Sequence, residues 1–169
     1  SEFKKYADNF SIPFFSGLNI NKDAHILRSY KADICVSMNW KTILEPSILN
    51  IFEYGVLNCH AGDLPRYRGN ACPNWAILNG EQSIGVTIHK MVEELDAGPI
   101  LMKLFYEIGE ETYISDIYSW LNTVVPELFV QSVEGIERRT LTYKDQDILV
   151  KPLRCYPRRP EDSKINWED

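Results

Sequence analysis

An amide, an imidazole and a carboxylate, carried by Asn58, His60 and Asp96, are the side chains in this chain with the plainest chemical use. An imidazole can gain or lose a proton near neutrality. A carboxylate can orient it, and an amide N–H can donate to an oxygen on which negative charge develops. Residues two apart on extended backbone share a face, so Asn58 and His60 project together while Cys59 points the other way. The next stretch, AGDLPRYRGN, is rich in Gly, Pro and Arg. It is expected to end the strand, and ligands of open α/β sheets bind at the carboxyl ends of strands. On the triplet alone, a pair of satisfied polar groups is the commoner explanation, and Asp96 before Ala97-Gly98 reads equally as a turn carboxylate.

The elements that must position these groups follow from the pattern along the chain. Residues up to Asn9 read as the last turns of a helix. Ile12 to Phe15 reads as a short strand entry, with a turn at Ser16-Gly17. Asp23 to Tyr30 is expected to be helical with Ala24, Leu27 and Tyr30 inward. Asp33 to Met38 has the apolar, β-branched character of a buried strand. Thr42 to Asn50 reads as a helix that Pro46 can confine to the residues after it. Gly55 to Cys59 is the strand that carries the reactive pair at its end, and Ala61 to Asn70 is a loop.

Pro73 to Leu78 is expected to be a short helix, since Pro suits a first turn and Gly80 a stop. Ile84 to Met91 alternates Ile84, Val86 and Ile88 against Gly85, Thr87 and His89, as a strand does. A further strand spans Pro99 to Ile108. The longest helix runs from Thr112 to about Arg138, with Ile114, Ile117, Tyr118, Leu121, Val125, Leu128, Phe129 and Ile136 on one stripe and Pro126 as a place for a kink. Strands alternating with helices predict an α/β fold, a three-layer arrangement about a mostly parallel sheet. Neither G-x-G-x-x-G nor G-x-x-x-x-G-K-[ST] occurs, so Rossmann or P-loop nucleotide binding has no support.

Composition narrows the partners. The chain has 169 residues, 44% hydrophobic and 25% charged, which suits one folded domain with a substantial core. No apolar run approaches the roughly 20 residues of a membrane span, and SEFKKYADNF lacks a secretory apolar stretch. No membrane partner is expected. A formal charge of −6 weighs against a nucleic-acid partner, because phosphate backbones are bound by clustered cations. The small basic patch of Arg154, Arg158 and Arg159 is diluted by Glu161, Asp162, Glu168 and Asp169, and reads as solvated or as a substrate-phosphate contact. The four cysteines form no C-x-x-C pair, so no metal site is signalled and a reducing, cytoplasmic setting is the economical inference.

The run GVLNCHAGDLPRYRGNACPNWAILNGEQSIGVTIHKMVEELDAGPIL closely resembles the formyltransferase family that uses 10-formyltetrahydrofolate. The Asn-x-His, LP-x-YRG, NWAI-x-NG, GVT-x-H-x-M and D-x-G-x-I pieces occur in order. The likeness extends from about Ile12 to Trp167. It implies the three-layer formyltransferase catalytic domain, with residues 1–150 as the core and 151–169 as a C-terminal extension or linker. It also implies a preceding βαβ unit of roughly 30 residues or more, which this chain lacks, so the core reads as N-terminally abbreviated.

The resemblance implies transfer of a formyl group from the folate N10 atom to a primary amine. Asn58 would steady the oxyanion, His60 would act as general acid and base, and Asp96 would orient His60. The folate would enter between two loops, Trp40, Thr42, Ile43 and Leu44 on one side and Val92, Glu93, Glu94, Leu95 and Asp96 on the other, with Asn70 nearby. His89 reads either as a site residue or as a satisfied core histidine. Arg66, Tyr67 and Arg68 read as anion contacts or as surface loop, and Trp75 as packing. The ending PRRPEDSKINWED is similar to that of enzymes acting on nucleotide-linked amino sugars, which makes such a sugar the expected acceptor. Methionyl-tRNA formyltransferase, formyltetrahydrofolate hydrolase and a non-catalytic folate- or sugar-binding module are the alternatives. No oligomeric state is indicated.

Overall fold

Strand β2, Val56–His60, is flanked on one side by β1, Cys35–Ser37, running parallel, and on the other by β4, Ser83–Lys90, running antiparallel. β5, Ile100–Glu107, continues the sheet antiparallel to β4, giving the order β1-β2-β4-β5. The structure is a computed structural model. It describes residues 1–169 apart from 17, 18, 166, 168 and 169. Gly17 of the expected turn, Asn166 of the tail motif and the acidic pair Glu168 and Asp169 therefore lie outside the described residues.

Alternation along β2 divides the core in two. Leu57 points into the larger cluster, where Ile84, Val86 and Ile88 of β4 meet Ile117, Leu121, Leu128, Phe129 and Ile136 of helix α5, Ile114–Glu137. Val56 points to the other face, into a smaller cluster with Ala24 of α2 (Ala24–Ser29), Ile48 and Leu49 of α3 (Pro46–Leu49), Leu44 and Phe52. Helices thus cover both faces of the sheet, which is the expected three-layer α/β arrangement. Pro126 sits inside α5, which continues through it. A first helix, Glu2–Asn9, is capped by the Ser1 hydroxyl, and α4 spans Cys72–Leu78.

Strand pairing departs from expectation in part. The parallel pairs are β1–β2 and a two-stranded ribbon of Tyr67–Gly69 (β3) with Leu153–Cys155 (β6), whereas β2–β4–β5 is antiparallel. The stretch between β4 and β5 is too short for the crossover that parallel strands require, which takes about a dozen residues or more. Part of the expected 61–70 loop is therefore strand, and its partner β6 is too distant in sequence for local pattern to reveal.

Cys155 of β6 lies in the larger core cluster, and the Trp75 indole N–H donates to Tyr156 O at 2.8 Å. Residues 153–156 of the expected C-terminal extension thus pack against the folded body. Residues 12–15 form no strand: Pro13 has no N–H to donate. β1 is an edge strand among the described residues, so Val36 is exposed instead of buried. Tyr30 lies just past α2, half exposed and edge-on to Phe15.

Candidate active site

Register between β2 and β4 assembles the polar cluster. Asn58 pairs with His89 and His60 with Thr87, so the polar side chains of both strands meet on the face opposite α5. Asp96 arrives from the turn between β4 and β5. Its Oδ2 accepts from the Gly69 N–H at 2.8 Å and lies 3.6 Å from His60 Nδ1. That separation is an ion-pair contact, longer than a hydrogen bond of 2.7–3.2 Å. The three groups expected to act together do converge.

Donor and acceptor chemistry fixes the imidazoles. His60 Nε2 lies 2.7 Å from Tyr67 O, and a carbonyl only accepts, so Nε2 carries a proton. Nδ1 is left facing the Asp96 carboxylate. Gly62 makes room for this contact, since a Cβ there would lie 2.4 Å from His60 Nε2 and 2.6 Å from Tyr67 O. The Cys72 thiol is a further neighbour, 3.6 Å from the same nitrogen.

His89 is both a core histidine and a site residue. It is almost wholly buried; its Nδ1 donates to Lys90 O at 3.1 Å, which leaves Nε2 to accept from Asn58 Nδ2 at 3.2 Å. That pattern requires a neutral ring. Burial, reinforced by the nearby His60 and opposed by Asp96, brings its pKa down to about 4. A neutral His89 thereby orients the Asn58 amide and leaves the second N–H of that amide free. The sequence pattern suggested that His89 could line the site; the orienting task became visible only with the β2–β4 register.

These groups form one end of a cleft of about 820 Å³. Trp40, Thr42, Ile43, Leu44, Asn70, Val92, Glu93, Leu95 and Asp96, the residues named for the folate loops, all line it. Glu94 does not; its carboxylate is drawn away by Arg68 Nη1 at 2.9 Å. Ser37, Asn39 and Met91 line the cleft without any sequence signal that singled them out for it, Lys41 does so from within the 40–44 loop, and Arg154, read from the sequence as solvated or as a substrate-phosphate contact, lines it as well. Arg66 is not an anion contact in this arrangement, because it forms a two-pronged pair with Glu81, which also accepts from Tyr67 Oη. Of the basic patch, Arg158 turns back onto Asp162 O and Ser163 Oγ, while the exposed Arg154 opens into the cleft.

Residues 16–133 match the family profile described as Formyl transferase. A methionyl-tRNA formyltransferase of Fusobacterium nucleatum is 31% identical over 173 residues, covering 99% of this chain and 54% of that protein. The chain spans about half the length of the curated relatives it matches. Among solved structures, a 4-N formyltransferase from Francisella tularensis superposes with a TM-score of 0.71 at 25% identity, over 90% of this chain and 60% of the other. HypX from Aquifex aeolicus, in complex with tetrahydrofolic acid, shares the fold with a TM-score of 0.72 at 24% identity, over 89% of this chain and 25% of that one.

Proposed function

Because the chain belongs to the formyl transferase family, we propose that it carries the catalytic centre for moving a formyl group from 10-formyltetrahydrofolate to a primary amine. The observation that carries this reading is the convergence of Asn58, His60 and Asp96 at one end of the cleft whose walls are the 40–44 and 92–96 loops. The residues fit the co-substrate. Trp40, Ile43, Val92 and Leu95 keep exposed apolar surface toward a flat heteroaromatic ring, and the volume falls within the usual range for small-molecule sites, roughly 300–1,000 Å³. The bound folate would supply an activated formyl carbon.

The chain's own groups divide the remaining work. The free Asn58 Nδ2–H donates to the formyl oxygen as negative charge builds there. With Nε2 committed to Tyr67 O, His60 Nδ1 is the atom that accepts the proton released by the attacking amine and returns one to the departing nitrogen. Asp96 holds the imidazole and balances its positive charge during the transfer. Neutral His89 keeps the Asn58 donor aimed without bringing a second cation into the site.

For the acceptor we favour a nucleotide-linked amino sugar. Supporting this are the PRRPEDSKINWED ending and the acidic charge of −6. Arg154 at the cleft wall suits a phosphate of such an acceptor. The sequence relatives named methionyl-tRNA formyltransferase favour a second reading, methionyl-tRNA as acceptor. Incubation with 10-formyltetrahydrofolate and a panel of amino sugar nucleotides, in parallel with charged initiator tRNA, decides between them by mass spectrometry of the formylated product. A sugar product that disappears in His60→Ala is expected. Formate release without any amine would assign a hydrolase instead.

A further inference from the structure

Asp96 holds a backbone φ of 53°, the left-handed region that residues with a Cβ seldom occupy. A turn in that conformation persists only if its surroundings hold it. The Gly69 N–H holds the Asp96 carboxylate, and the backbone of the turn is held by Gln146, remote in sequence. Its single Nε2 donates to two carbonyls of the turn, Asp96 O at 2.7 Å and Gly98 O at 2.8 Å. Its Oε1 accepts from Arg68 Nη2 at 2.7 Å, and Arg68 Nη1 binds Glu94 at 2.9 Å. A guanidinium only donates and carbonyls only accept, so this amide has one possible orientation.

The reach of Gln146 is itself set by an anchor. Lys144 and Ile100 exchange backbone hydrogen bonds of 2.7 and 2.8 Å, an isolated antiparallel bridge that ties the segment to the start of β5. On the inner side, the turn presses on β4: a Cβ at Gly98 would lie 1.8 Å from Lys90 O. The turn is thus held between Lys90 and the Gln146 amide. Gln146 does not line the cleft, so any influence it has on the chemistry passes through Asp96.

We propose that Gln146 is a positioning residue that clasps the Asp96 turn and so sets the carboxylate against His60. The kinetic part of this proposal rests on the formyl-transfer reading; the structural part does not. His60 also faces His89 and Cys72, and these contacts do not involve Gln146, so the Asp96 contribution can be isolated.

Gln146→Met keeps the length without hydrogen bonds, and Gln146→Glu keeps the bond to Arg68 while losing both donations to the turn. In both variants we expect kcat for formyl transfer to fall about 10- to 100-fold, the scale of an ångström-level misplacement. The KM for the folate should change much less, and the pH–rate profile should be displaced. Amide exchange over residues 94–98 should accelerate, and the NMR chemical shifts of the His60 ring should change as the carboxylate moves away from it. If the Met variant does not fold, the Glu variant decides. Unchanged exchange and unchanged His60 ring shifts overturn the proposal, even where kcat falls. Should the unsubstituted protein transfer no formyl group, the functional reading fails, while exchange and ring shifts still decide the role of Gln146.

Discussion

The two ends of the cleft are built differently. At the β2–β4 end, the side chains of His60, His89 and Asp96 are 8%, 3% and 10% exposed, and each is tied to a fixed partner. Along the 40–44 wall, Trp40 and Ile43 are 46% and 81% exposed. That wall is tethered through backbone, by Asn21 donating to Ile43 O and accepting from Glu45 N, both at 3.0 Å. Proton transfer and oxyanion stabilisation depend on angles and distances fixed in advance. Holding a flat ring depends mostly on apolar area, which an adaptable wall supplies equally well.

Substitutions can break or sharpen that contrast. The largest effect is expected from His60→Ala, with kcat lower by about 10²–10⁴-fold and folate affinity, read by calorimetry, altered far less. Asn58→Ala should follow with about 10²–10³-fold in kcat, the cost of one oxyanion donor. Gly62→Ala should come next: its Cβ must displace His60 from Tyr67 O, and the expected result is about tenfold or more off kcat with a lowered melting temperature. At the other wall, Ile43→Ala should raise the folate KM by only a few-fold, roughly 1 kcal/mol of lost burial, and leave kcat unchanged. A kcat loss at Ile43 equal to that at His60 would erase the distinction between the ends.

A pH experiment probes the rigid end alone. His89 titrates at about 4 in the folded chain and near ~6.5 when unfolded. Between those values the unfolded chain binds more protons, so stability rises with pH through the window. It is fully present above pH 6.5 and lost as pH falls toward 4, with about 2 kcal/mol gone by pH 5. Urea unfolding at pH 7 and pH 5 measures this difference, and His89→Gln should reduce it.

The major helices and all four main-sheet strands were legible because each rests on local cause: alternation in Ile84 to Met91, the apolar stripe of α5, and Pro46 and Pro73 opening α3 and α4. β1 was legible as a strand but not as an edge, since a strand's exposure depends on what lies beside it. β3 and β6 were not legible, because neither three-residue segment is a strand without the other. Of the positions named on the two loops, all but Glu94 line the cleft, and the direction of Glu94 is decided by Arg68 across space.

The amino-acid order by itself determined that Asn58 and His60 share a face, because two residues along an extended chain return to the same side. It also determined which segments carry apolar faces that must be buried. Tertiary structure alone decided that His89 aims the Asn58 amide, that the Tyr67 carbonyl fixes the His60 proton, and that Gln146 secures the Asp96 turn. Those contacts depend on strand register and on a left-handed turn. Both are settled by hydrogen bonds between residues far apart in the chain, where local preference has no reach.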